Sequence, residues 1–324
     1  MFRTLASSRR LLRSKFRPFK RLYNTGLEPP LPEPPIRLLG PTLWSIATCS
    51  GIYLGFATYE VYQDAKHAGA EEGRRAYKMT FAELERYRDE QSTNALVRSI
   101  RTSPSERPEF SGSQGLAWGF IGLSTLVHLA STANSTLAYR FMHAPALSAN
   151  YTLLTSVFGH SGIIHLGVNM YAMLQLIPGA ASSRNFEQSN THLAAFFLSA
   201  GILSSLANHA AAIWPGGRSA YMPALGASGA LFALFGVVGV SFPDTPIGIL
   251  FVPGSVPILD AMGYVALFDM GGLIVEYPLI RLAHAAHLGG LALGFVYGVF
   301  NTDKTIWRPG RKLAFRTMRY LGVV

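Results

Sequence analysis

Seven apolar stretches of about 18–23 residues constrain this chain more than any other feature; they lie at about 41–63, 115–133, 160–180, 191–213, 225–242, 256–275 and 282–301. About 20 predominantly apolar residues are needed for a helix to cross bilayer hydrocarbon. Lipid offers the backbone no hydrogen-bond partners, so helices and closed barrels are the only spanning structures. Charged residues make up 14% of the chain and hydrophobic ones 49%, against roughly 25% charged in soluble domains. The pattern predicts an all-α polytopic membrane protein. The region 243–281 is the least sharply bounded, because Pro243, Pro246, Pro253 and Pro257 interrupt it.

The stretches are unevenly spaced. One helix at 41–63 is followed by a hydrophilic segment, 64–114, and then by six helices over 115–301 with mostly short connections, with no internal repeat. Residues 64–110 carry nine basic and nine acidic side chains and read as a water-exposed loop containing some helix. Residues 302–324 form a basic tail with Lys304, Arg308, Arg311, Lys312, Arg316 and Arg319. No aromatic platform accompanies these charges, so the net charge of +10 does not indicate nucleic acid. The single cysteine, Cys49, excludes an internal disulfide.

Residues 1–26 hold eight basic residues and no acidic one, with Leu5, Leu11, Leu12 and Phe16 roughly one or two turns apart. That composition fits a mitochondrial presequence, and no uninterrupted apolar core of a secretory signal is present. The alternative is a basic tail on the cytosolic side of a membrane. Residues 27–40 are proline-rich and read as a stiff spacer.

The chemistry gathers at one face. If the 64–114 segment marks one side, the second, fourth and sixth core helices all start on the other. His160, His165 and Asn169 lie near the start of the second, Ser228 of the fourth, and His287 of the sixth. Unpaired polar groups are costly in hydrocarbon, so a Ser and a His at equal depth are expected to meet. Gly226-Ala227-Ser228-Gly229 taken alone also fits close helix packing. His287, Gly290, Gly294 and Gly298 share one helical face, and this glycine stripe lets the sixth helix approach the fourth. There His287 can act as general base on a Ser228 nucleophile. His165 and Asn169, four residues apart, are candidate oxyanion donors together with the Ser228 amide. His284 is a rival base. Asp269, within an apolar run, either orients a histidine or makes a buried hydrogen bond in the bundle. His160 reads as structural or access-lining, and His128, His143, His192 and His209 have no comparable constellation. No metal-binding spacing occurs, and no cofactor is expected.

With G-A-S-G at 226–229, A-H-x-x-G at 286–290 and H-x-x-x-x-H-x-x-x-N at 160–169 in that order, the chain resembles the rhomboid intramembrane serine proteases. The resemblance implies a six-helix rhomboid core with one additional N-terminal transmembrane helix, and a dyad of Ser228 and His287. It also implies oxyanion stabilisation by His165, Asn169 and the Ser228 amide. Phe232 stands where the family often has a tyrosine stacked on the base, and Tyr139-Arg140 is the nearest match to a family Trp-Arg pair. The extra helix and presequence resemble the mitochondrial inner-membrane branch. That branch implies single-pass transmembrane substrates such as dynamin-like GTPases, kinases or presequence-bearing peroxidase precursors, depending on lineage. The import route places the active-site face toward the matrix, whereas the count of basic residues by side favours the opposite orientation.

Overall fold

The computed structural model describes residues 36–71, 79–101, 112–213, 220–248, 253–275, 277 and 282–324. The expected presequence at 1–26 and the spacer up to residue 35 lie outside the described residues. The long helices are α1 (Leu39–Glu71), α2 (Phe81–Arg101), α3 (Gly112–Ala133), α4 (Ile163–Ala181) and α5 (Asn190–Ala211). They continue with α6 (Ser228–Ser241), α7 (Ile258–Ile274), α8 (His284–Val299) and α9 (Arg308–Tyr320). Between α3 and α4 the chain folds into single turns of helix and 3-10 helix (Ser135–Ala138, Tyr139–Phe141, Thr152–Thr155, Ser156–Phe158). Two short strands, β1 (Pro246–Ile247) and β2 (Val256–Pro257), pair antiparallel in the proline-broken link before α7.

The protein is mostly helical. Helix α6 is apolar on every face and touches α4, α5, α7 and α8. A helix hydrophobic all round belongs in an interior, and α6 is the centre of the bundle. Large apolar side chains on the other helices point outward, among them Leu126 and Leu129 on α3, Ile164 and Val168 on α4, and Leu267 and Ile274 on α7. An apolar exterior of this extent matches hydrocarbon as solvent.

Three of the described helices, α3, α4 and α5, are long and apolar enough to cross a membrane. Helix α6, at 14 residues, is about 21 Å long, short of the roughly 30 Å hydrocarbon core.

Glycines set the spacing of α6 and α8. A Cβ at Gly294 would lie 1.9 Å from the Ala233 carbonyl oxygen, and one at Gly290 would lie 2.1 Å from that of Gly229. Backbone meets backbone along this seam, as the stripe predicts.

The described residues of the hydrophilic segment and the tail are largely helical. Helix α1 continues to Glu71, and α2 opens on a capping box in which the Thr80 amide donates to Glu83 at 2.7 Å. The basic tail folds as α9 against α1 and α2, burying Ala314, Phe315 and Met318 with Val61, Ala65 and Leu84. Arg311, fully buried, donates to Glu60, to Asp64 at 2.9 Å and to Glu85 at 2.8 Å. Arg308 donates to Asp303 at 2.6 Å and to Asp89 at 3.0 Å. These carboxylates hold the Arg308 and Arg311 guanidiniums well above their usual range. A buried arginine needs such partners, and the acidic residues of the hydrophilic segment supply them.

Candidate active site

Ser228 is the first residue of α6, and the turn before it runs through Gly226 at φ +127°. This left-handed conformation favours glycine. A Cβ there would also lie 2.8 Å from Cε1 of His165. The turn is anchored at two points. The Gly226 amide donates to the Ser156 carbonyl at 2.9 Å, and Ala224 bridges antiparallel to His143.

His287 lies in the first turn of α8, buried, and meets the half-buried Ser228 with Nε2 to Oγ at 2.9 Å. The seam of small residues brings the two within reach despite 59 residues of separation. Phe232, one turn below Ser228, stacks on the imidazole with centroids 4.3 Å apart and planes at 7°.

The opposite edge of His287 meets Asp269. Its Nδ1 lies 3.2 Å from Asp269 Oδ1, and the same oxygen lies 2.6 Å from Nδ1 of His284. Of the two roles read for Asp269, orientation of a histidine and burial in a bundle hydrogen bond, the structure displays both at once. A carboxylate accepts, so each imidazole carries its hydrogen on Nδ1. Nε2 of His287 is then a bare acceptor facing the Ser228 hydroxyl, as a general base requires. His284 faces away. A Cβ on Gly272 would lie 2.3 Å from its Nε2, so that edge is packed against α7 rather than the nucleophile.

His165 borders the Gly226–Ser228 turn. Ser161 approaches its Nδ1 through the hydroxyl at 3.1 Å and the amide at 3.5 Å. The amide can only donate, which leaves Nε2 as the protonated edge beside the turn. Asn169 makes its own contact within the helix. Its Nδ2 donates to the His165 carbonyl at 2.7 Å, so one amide hydrogen is committed within α4. His160 precedes α4, with Nδ1 3.2 Å from the Phe158 carbonyl and its ring edge-on to His165 at 5.2 Å. Tyr139 and Arg140 lie on an exposed 3-10 turn, where the Arg140 carbonyl accepts from Thr155.

A cavity of about 20 Å³ adjoins Ser228, lined by His143, Ser156, Ser204, Asn208, Gly226 and Ala286 among others. That is room for one water.

Two histidine clusters escaped the sequence reading. His143 Nε2 and His209 Nδ1 are 2.8 Å apart, with Thr152 and the Arg37 carbonyl at the two ends. Burial, and then the neighbouring His209, lower His143 to about 4. His192 stacks on Trp307 at 4.3 Å and meets the Tyr297 hydroxyl at 2.6 Å. No local spacing joins partners 66 or 105 residues apart. The only available signal was general: a histidine in an apolar run needs a partner.

Among the described residues no group of His, Cys, Asp and Glu is arranged to hold a metal. The geometry is a serine aligned with an imidazole base, a carboxylate behind the base, and donors beside the nucleophile. It can carry out acyl transfer.

The Rhomboid domain family model matches residues 148–303, which contain Ser228, His287, Asp269, His165 and Asn169. The mitochondrial presenilin-associated rhomboid-like protein of Homo sapiens is 29% identical over 157 residues, covering 48% of this chain and 39% of that protein. The Rattus norvegicus protein of the same name matches equally. Mitochondrial Rhomboid protein 1 of Saccharomyces cerevisiae is 30% identical over 168 residues, covering 49% of this chain and 44% of that protein. The matches thus span about two fifths of the length of these relatives. By this match the chain carries a Rhomboid-family domain at residues 148–303.

Proposed function

We propose that this protein is an intramembrane serine endopeptidase of the mitochondrial inner membrane. It hydrolyses peptide bonds in or near the transmembrane segments of single-pass proteins. The observation that carries this reading is the hydrogen bond from Ser228 Oγ to His287 Nε2 at 2.9 Å, backed by Asp269 on Nδ1. In the proposed reaction Ser228 attacks the scissile carbonyl and His287 takes its proton. The oxyanion forms beside the Ser228 amide and the protonated edge of His165, with the remaining Asn169 hydrogen as a third donor. His287 then returns the proton to the leaving amine, and a water deprotonated by His287 hydrolyses the acyl-enzyme. The small cavity beside Ser228 is a store for that water. The names of the mitochondrial relatives and the basic, acid-free first 26 residues support the location.

In this reading α1 and α3–α8 are seven crossings, one plus six. The starts of α4, α6 and α8 open to the matrix, while α2 and α9 stand on the intermembrane-space side. A C-terminal tag digested by protease in mitoplasts supports that orientation; a protected tag reverses it. Cleavage profiling of inner-membrane proteins, with wild type against Ser228→Ala, tests the activity. Ser228→Ala and His287→Ala are each expected to lower cleavage by roughly 10³-fold or more with insertion intact. Full activity in either sinks the dyad assignment, whereas no Ser228-dependent cleavage in the wild type leaves a binding or quality-control protein on the same fold.

A further inference from the structure

We propose that His284 is a positioning residue that competes with His287 for the Asp269 carboxylate and so sets how firmly that carboxylate holds the base. This rests on the proposed roles of Ser228 and His287. One oxygen, Oδ1, receives both Nδ1 hydrogens, and the shorter bond belongs to the histidine that does not touch the nucleophile: 2.6 Å to His284 against 3.2 Å to His287. Two donors on one anionic oxygen share its charge, so each weakens the other's bond.

The competition is built into the packing. His284 is buried, edge-on to Phe268 at 5.8 Å and to Tyr277 at 5.4 Å, with its far edge against Gly272. Among the described residues its one polar partner is Asp269. The spacing enforces the sharing, because His284 and His287 lie one turn apart on α8 and face the same point on α7. The titratable groups around the pair are Asp269 from α7, Tyr277 after it, and His165 from α4, which interacts electrostatically with His287. A Ser–His pair backed by an undivided carboxylate holds the protonated base strongly. Dividing the carboxylate between two donors weakens that hold.

The test is the pH profile of kcat/KM of the full chain in proteoliposomes, with the rate of labelling of Ser228 by a fluorophosphonate as second readout. His284→Phe keeps a ring and removes the donor. Asp269 then re-centres on His287, and the acid limb of both profiles moves to higher pH by about half a unit or more, with the plateau kept within roughly threefold. His284→Asn, whose Nδ2 replaces Nδ1, keeps the limb near its wild-type place. His284→Gln lacks a donor at that position and follows Phe, which covers the case in which Phe fails to fold. Limbs unmoved in Phe and Gln overturn the proposal, as does loss of labelling at every pH in a folded variant. Wild-type labelling that survives Ser228→Ala overturns the catalytic reading instead, so the two failures are distinct.

Discussion

Asp269 holds His287 by the edge opposite Ser228, at 3.2 Å from Nδ1, while Nε2 lies 2.9 Å from the serine hydroxyl. The imidazole is thereby fixed in tautomer and in aim. Asp269→Asn keeps the shape and removes the charge, and its amide can present a donor to Nδ1. Turnover of a model transmembrane substrate is expected to fall by about 10²-fold or more with KM little changed. Near-normal kcat would assign Asp269 to packing alone.

The α6–α8 seam is the second sensitive feature. Gly294→Ala places a methyl 1.9 Å from the Ala233 carbonyl oxygen, where only backbone can move. Overpacking of this kind destabilises by about 1–3 kcal/mol or more. It also parts Ser228 from His287, so activity should fall before the bundle unfolds. Gly167→Ala on α4 meets nothing within 4 Å and is the control. Equal thermal midpoints and equal activity in detergent would refute the seam's role.

Arg311 anchors the segment beyond the Rhomboid domain. Its side chain is fully buried among Glu60, Asp64 and Glu85. Arg311→Met leaves three partly buried carboxylates facing one another, an effect of about 3–5 kcal/mol. Limited proteolysis should then release α9, whereas the exposed Arg316→Gln should change stability by no more than about 0.5 kcal/mol. Identical digestion of both variants would contradict the anchor.

Opposite pH responses are expected at the two ends of the molecule. Burial raises Asp64 and Glu187, each also raised by a neighbouring carboxylate, Glu60 and Asp303 respectively. A raised folded value favours the protonated form. This stability is complete below the unfolded values and is lost as pH rises through the folded ones. His143 is lowered from 6.5 to about 4, so its neutral form is the stabilised one. That contribution is complete above 6.5 and is lost as pH falls toward 4. Amide exchange corrected for its intrinsic rate should slow in α9 as pH falls through the raised carboxylate values, and should quicken at the His143–Ala224 bridge between pH 7 and pH 5. The same trend at both ends would contradict the assignment.

Much of the bundle was legible because hydrocarbon imposes length and polarity directly on sequence. Helices expected at 191–213, 225–242 and 282–301 run at Asn190–Ala211, Ser228–Ser241 and His284–Val299. The glycine stripe was legible for a related reason: close backbone approach demands small residues at helical spacing. Polar partnerships across distance were not legible. The ion network of α9, the His143–His209 pair and the commitment of Asn169 to the His165 carbonyl join atoms whose proximity no period encodes.

Sequence by itself determined the all-α membrane class, the shared face of Ser228 and His287, and the spacing that lets their helices touch, because each follows from local periodicity and the avoidance of unpaired polar groups. Only the tertiary structure decided what stands behind the base. Asp269 and His284 are 15 residues apart, on separate helices, and they meet because α7 packs against α8. Hydrogen-bond geometry depends on tenths of an ångström between packed elements, and those are set by side-chain interdigitation that no one-dimensional pattern records.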